Sequence, residues 1–194
     1  NFDVKEQQLG IVSGPCHAEE VALERLSYLT IAAQDEAKAQ VVADCLACNF
    51  IKTKLSNDIY GTEFGAVLKN IYAIAAGIAH GLGYGDNFQA VLMSNAIREM
   101  NYILKTASPM KRKINDSAYL GDLLVTGYSF FSRNRMFGNM IGKGYTVKSA
   151  ILEMSMVAEG YYATKGVAIM NEQYQIKAPI INAVHKILYE DKNA

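Results

Sequence analysis

Between Phe64 and Gly85 only one residue, Lys69, carries a formal charge; the rest of FGAVLKNIYAIAAGIAHGLGYG is apolar, small or neutral. Burying a lone ammonium costs several kcal/mol unless another group pairs with it. Any fold must therefore either leave Lys69 solvated or give it a partner and a task. Val67, Ile71, Ile74 and Ile78 recur at i, i+4, i+7 and i+11, which predicts a helix with an apolar stripe. At ~100° per residue Lys69 lies about 200° from Val67, opposite that stripe. Gly65, Ala66, Ala73, Ala76 and Gly77 are small enough for another element to approach closely. Lys69, Asn70, His80 and the glycines make the stretch a poor membrane span.

The residues before it alternate between strand and helix patterns. Residues 9–13 and 26–32 are strand-like, 36–48 read as a helix, and 50–55 (FIKTKL) alternate apolar and polar. A strand-helix-strand run predicts part of an α/β sheet, here the tail of such a domain. From Asp58 onward the pattern is helical. Gly81, Gly83 and Gly85 stop the first helix, and Asp86 is placed as the N-cap of a second over residues 87–107. Phe88, Leu92, Ala96, Met100, Ile103 and Leu104 are its expected buried face. Ser132 and Thr146 are placed as caps of two shorter helices, residues 158–173 form another, and Pro179 suits the first turn of the last. The expected domains are an α/β remnant at 1–56 and a helical domain at 57–194.

Composition excludes several classes of partner. Nineteen basic and nineteen acidic side chains cancel, so no net field draws in nucleic acid or an anionic membrane. Lys111, Arg112 and Lys113 read as an exposed loop. Cys45 and Cys48 form a C-x-x-C without a second such pair or an H-x3-H, so they read as ordinary helix residues and no metal site is expected. Residues 1–10 contain no apolar signal core. A reducing, cytoplasmic setting is expected.

Four segments can carry chemistry. Gly14-Pro15-Cys16-His17-Ala18 is a tight turn leaving a strand, where glycine lets a ligand approach the backbone. Lys69-Asn70 is the second. An ammonium drawn out of water releases its proton more readily, which suits a general base. Gly121-Asp122-Leu123 places one carboxylate among apolar neighbours, either as a helix cap or as a partner for Lys69. Ser132-Arg133-Asn134-Arg135 puts a hydroxyl, a guanidinium and an amide at a helix start. That is either a phosphate clamp or a capped helix with surface arginines.

In order, the chain carries G-P-x-x-A-E-E (14–20), E-F-x-x-x-x-K-N-x-x-A-I-A-A-G (63–77), G-L-G-x-G-D-N (81–87), G-D-L-x-x-T (121–126), S-R-N-R-x-F-G (132–138) and V-x-E-G (157–160). This series resembles the bacterial NAD(P)-dependent glycerol-3-phosphate dehydrogenases over residues 10–189. The resemblance implies a mainly α fold. An all-helical C-terminal dehydrogenase domain, like that of 6-phosphogluconate dehydrogenase, would follow the last strands of a Rossmann-type α/β domain. Two departures stand out, the first in the cofactor-domain features and the second at Cys16. No strand-to-helix G-x-G-x-x-G turn for a cofactor pyrophosphate is present, and only thirteen residues precede Gly14, where the family has an upstream substrate lysine. The chain is thus expected to be a carboxyl-terminal portion, inactive alone. Cys16 stands where the family usually has serine, and a thiol is a weaker donor.

The resemblance further implies interconversion of sn-glycerol 3-phosphate and dihydroxyacetone phosphate with NAD or NADP, supplying glycerol 3-phosphate for phospholipid synthesis. Lys69 would be the general acid/base. Gly14, Cys16, Asp122, Ser132, Arg133 and Asn134 would bind substrate, and Ala18, Arg133, Val157 and Glu159 would touch the cofactor. The implied partner is a small phosphorylated substrate, with no nucleic acid and no membrane, and a homodimer is an assembly it allows. Two other readings stay open: a dehydrogenase of another hydroxy acid sharing the helical domain, and a non-catalytic helical module for dimerisation or binding.

Overall fold

A computed structural model describes residues 4–154, 156 and 158–194. Among the described residues a 3-10 turn (Glu6–Gln8) precedes three strands, β1 (Gly10–Ser13), β2 (Ser27–Ala33) and β3 (Ile51–Ser56), with α1 (Ala18–Ala22) after β1 and α2 (Glu36–Leu46) between β2 and β3. Their order in the sheet is β1-β2-β3. β1 runs antiparallel to β2, with Val12 opposite Ile31, and β2 runs parallel to β3, with Ile31 beside Leu55. A parallel pair needs a crossover, and α2 supplies it. Asp35 caps α2 by accepting from the Lys38 N–H, while Ala39 and Ala43 pack on Ile31.

Among the described residues seven α-helices follow: α3 (Ile59–Gly81), α4 (Asp86–Ala107), α5 (Asp122–Tyr128), α6 (Arg133–Gly142), α7 (Val147–Glu153), α8 (Glu159–Gln173) and α9 (Pro179–Tyr189). The expected mainly α architecture with a small leading sheet is what the chain adopts. α3 is the centre of the helical body, packing against α4, α5, α6, α8 and α9. Its expected single stripe is too narrow. Leu68, Tyr72, Ala73 and Ala76 are buried as fully as Ile71 and Ile74, because neighbours cover it on several sides. Tyr72 and Phe137 are the largest side chains in the fully buried core.

α3 and α6 meet backbone to backbone. A Cβ at Gly77 would strike the Arg135 carbonyl, and one at Gly138 the Ile74 carbonyl. Gly81 and Gly142 repeat the arrangement one turn on. Only glycine permits this approach. Gly138→Ala is therefore expected to cost about 3 kcal/mol by forcing the helices apart; a denaturant midpoint unchanged from the parent would contradict it.

Two expectations about α4 are corrected. Gly85, not Asp86, is its N-cap, and Asp86 is its first helical residue. Phe88 does not belong to the buried face; it is 43% exposed and stacks on Tyr84 with ring centroids 4.5 Å apart. The inward line instead starts at Gln89 and Met93, then includes Ala96, Glu99, Met100, Ile103 and Leu104. Gln89 takes the inward position of the first turn, where it donates to the Gly127 carbonyl, and the adjacent Phe88, about 100° round the helix, faces outward. Glu99 on this face caps another helix. Its carboxylate accepts from the N–H groups of Ile180 and Ile181 at 2.8 and 3.1 Å, satisfying donors at the start of α9. Burial raises the Glu99 pKa, and those two donors only partly offset it. The Tyr72 hydroxyl lies close to Glu99 but outside hydrogen-bond geometry.

The 111–113 run is also corrected. Lys111 and Lys113 are exposed, but the Arg112 side chain is 1% exposed and paired with Asp58. Arg112 also donates to the Leu104 and Ser108 carbonyls at 3.0 and 2.6 Å. Asp58 caps α3 by accepting from the Gly61 N–H at 2.9 Å and accepts from the Tyr119 hydroxyl as well. Where sheet and helices join, a buried ion pair stands in place of the solvated loop that local polarity suggested.

Candidate functional site

Lys69 is neither solvated nor alone. Its Nζ donates to Asp122 Oδ2 at 2.6 Å, with the lysine side chain 19% exposed and the aspartate 2%. Asp122 is the first residue of α5, directly after a π-helical turn at Ser117–Gly121. Gly121 holds the cap position, so the Asp122 carboxylate is not a helix cap. It turns inward toward α3, and the cost of burying it is offset by the ammonium. Thr126, one turn along α5, donates to the Asp122 carbonyl at 2.6 Å and lies 3.4 Å from Oδ1. Ser13, at the end of β1, donates to Oδ2 at 3.2 Å.

Lys69 stands at one side of a cleft of about 1,080 Å³, whose lining includes Gly14, Cys16, Ala18, Ser132, Arg133 and Glu159, while Asp122, expected to bind substrate, lies buried behind Lys69 and outside that lining. Residues that are up to 145 positions apart in the chain thus face one space. Gly14 has φ of +139°, and a Cβ there would meet the Tyr28 carbonyl, so glycine is required to turn the chain into the cleft. Burial pushes the Cys16 thiol up; Ser27 pulls it back in part, and the nearby Asp122 charge adds to the rise. Cys16 therefore stays a neutral thiol.

The second cationic group comes from the start of α6. Ser132 is the N-cap, its Oγ accepting from the Arg135 N–H at 3.3 Å, which leaves the hydroxyl proton free to donate. The Arg133 guanidinium donates to the Met156 sulfur at 3.4 Å, a weak partner that a stronger acceptor would displace. Asn134 also lines the cleft, but its Oδ1 accepts from the Gly160 N–H at 2.8 Å. Its carbonyl thus anchors α8, and only its NH2 remains for a ligand. Gly160 in turn packs on the Asn70 carbonyl, where a Cβ would not fit, so α8 starts beside the Lys69-Asn70 step. Asn70 donates to Glu159 at 3.5 Å. Val157 lies outside the described residues.

The cleft therefore offers an ammonium braced on a buried carboxylate, a loosely held guanidinium, and the positive end of a ten-residue helix. Together they attract a small anion and can exchange a proton beside it. The apolar side chains of Phe130, Phe131 and Met156 complete the lining. Two partners of the pair, Ser13 and Thr126, were not singled out from the sequence as site residues. Thr126 stood within reach of inference, since i and i+4 share a helix face; nothing local marks Ser13. Among the described residues no group of three or more His, Cys, Asp or Glu side chains could hold a metal ion. No helix of the described residues is long and apolar enough to cross a membrane.

Comparison with known proteins gives a consistent result. Residues 58–194 match the family described as NAD-dependent glycerol-3-phosphate dehydrogenase C-terminus. A glycerol-3-phosphate dehydrogenase (NAD(P)+) of Salinibacter ruber is 39% identical over 189 residues, covering 97% of this chain and 55% of that protein. One from Staphylococcus haemolyticus is 37% identical over 183 residues, 94% of this chain and 55% of its own. The chain thus spans little more than half the length of these relatives. Among solved structures, the glycerol-3-phosphate dehydrogenase of Coxiella burnetii superposes with a TM-score of 0.92 at 31% identity, covering 95% of this chain and 57% of that one. A Dunaliella salina structure, at 23% identity and a TM-score of 0.87, covers 95% of this chain and 33% of its own and shares the fold.

Proposed function

Because this chain belongs to the NAD-dependent glycerol-3-phosphate dehydrogenase family, whose C-terminal part matches residues 58–194, we propose that its cleft binds a three-carbon phosphate and that Lys69 moves the proton when glycerol 3-phosphate and dihydroxyacetone phosphate interconvert. The observation that carries this reading is Lys69, braced from behind by the buried Asp122, lining the same cleft as Arg133. A bound NAD or NADP supplies the hydride chemistry.

In the reductive direction the Lys69 ammonium gives a proton to the carbonyl oxygen and becomes the amine; in the oxidative direction that amine takes the proton of the C2 hydroxyl and becomes the ammonium again. Asp122 holds the ammonium in place between turnovers. Arg133, the Ser132 hydroxyl and the N–H groups opening α6 grip the phosphate, with the Asn134 NH2 beside them. Gly14 and the neutral Cys16 thiol close the pocket from the sheet side. Ala18, Arg133 and Glu159 face the cofactor, and Val157 joins them by resemblance. The product would feed phospholipid synthesis in the cytoplasm. Because no strand-to-helix G-x-G-x-x-G turn is among these 194 residues, the stretch by itself is proposed to be inactive.

The test is dihydroxyacetone phosphate reduction by a form that carries a complete cofactor site, assayed with NADH and with NADPH. Substrate-dependent oxidation of either nicotinamide is expected. Inactivity with both, or equal rates with unphosphorylated dihydroxyacetone, defeats the reading. Within the same assay, Arg133→Lys is expected to raise KM for the phosphate substrate at least about tenfold, because lysine cannot make the forked contact. An unchanged KM removes Arg133 from the clamp.

A further inference from the structure

We propose that Ser13 is a positioning residue for the proton-transfer pair, an inference that rests on the dehydrogenase reading above. Asp122 has one ammonium partner, Lys69, and that group must lean toward substrate and exchange a proton in each turnover. A buried carboxylate whose only firm donor moves would follow it or swing about its own side chain. Ser13 opposes that motion. Its hydroxyl donates at 3.2 Å to the same Oδ2 that receives Lys69, while among the described residues the other oxygen has only Thr126, at 3.4 Å.

The donor itself stands on a rigid base. Ser13 is buried and pairs in register with Thr30 of β2. The next residue, Gly14, is pressed against the Tyr28 carbonyl at a φ only glycine readily adopts. The Pro15 carbonyl then accepts from the Tyr28 N–H at 3.3 Å. The Pro15 ring lies next to Gly121, so that a Cβ there would be 3.6 Å from its Cγ. The end of β1 thus touches the start of α5 at two adjoining points, Pro15 on Gly121 and Ser13 on Asp122. The strand that delivers Gly14 and Cys16 to the cleft also sets the carboxylate on which Lys69 rests. In this way the seating of the sheet against the helices is felt at the reacting proton.

The experiment uses the form with a complete cofactor site and compares wild type, Ser13→Ala and Ser13→Thr in dihydroxyacetone phosphate reduction. Ser13→Ala is expected to lower kcat roughly tenfold, the scale of one hydrogen bond to a charged group, with KM within about twofold of wild type. Ser13→Thr, which keeps the hydroxyl, is expected to restore most of kcat. A kcat for Ser13→Ala equal to wild type overturns the proposal. So does a threonine variant as impaired as alanine, or an alanine variant whose far-UV circular dichroism shows it unfolded, since the hydroxyl then serves the fold alone. A wild-type enzyme inactive toward dihydroxyacetone phosphate instead defeats the dehydrogenase reading itself, before any Ser13 variant is compared.

Discussion

Lys69→Met in the form with a complete cofactor site is expected to reduce kcat for dihydroxyacetone phosphate by at least ~10²-fold, the lower end of what a general acid/base contributes. Methionine keeps the length and apolar stem of the side chain but can neither hold nor give a proton. Lys69 is the group with the reach to do so: its ammonium is braced at 2.6 Å on Asp122 yet 19% exposed to the cleft. Asp122 is 2% exposed and has no such access. The far-UV circular dichroism should stay native, because Asp122 retains its contacts with Ser13 and Thr126. The melting temperature should fall, since removing one member of a buried pair leaves the other uncompensated. Retention of more than about a tenth of kcat would remove Lys69 from the proton transfer.

The largest expected effect on stability lies away from the cleft. Arg112→Ala should destabilise the fold by about 3–5 kcal/mol, because it strands the buried Asp58 carboxylate and empties the space where four hydrogen-bonded groups converge. Against a total stability of about 5–15 kcal/mol that is a large fraction, readable as a fall in the urea midpoint. The same pair sets a pH dependence. Burial pushes the Asp58 pKa up, but Arg112, the Tyr119 hydroxyl and the Gly61 N–H together outweigh it and hold the carboxyl below its ordinary value. A carboxyl lowered in the folded state contributes fully above the unfolded value of about 4 and loses that contribution as pH falls through the folded value. The Arg112→Ala variant should therefore unfold at higher pH in an acid titration than the parent. Coincident acid transitions would show that the pair is not what holds this junction.

Some of the molecule was legible because its causes are local. Ser132 and Thr146 cap the helices expected of them, and Pro179 opens α9, because a cap is a contact within three or four residues. The β2-α2-β3 unit could be read for the same reason: period-2 and helical stretches differ within a short window. Phe88 differs from its expected place because Gln89 and Met93 take the inward positions of the first turns, while Ala96, Met100, Ile103 and Leu104 are buried as expected; only packing decides which side of a first turn is covered. Arg112 looked solvated because its partner, Asp58, is 54 residues away. Ser13 carried no signal, since a hydroxyl at a strand end matters only once another chain segment brings it a carboxylate.

The order of amino acids determined the helical body, the small residues that allow a close approach, and the presence of one ammonium and one helix-start guanidinium, since these depend on side-chain type and spacing along a short stretch. Which charges are paired, which hydroxyl braces Asp122, and how much of Asn134 is free for a ligand were decided only when distant segments packed. Partner choice inside a protein depends on distances through space, and those are set by how helices and strands pack, not by their order along the chain.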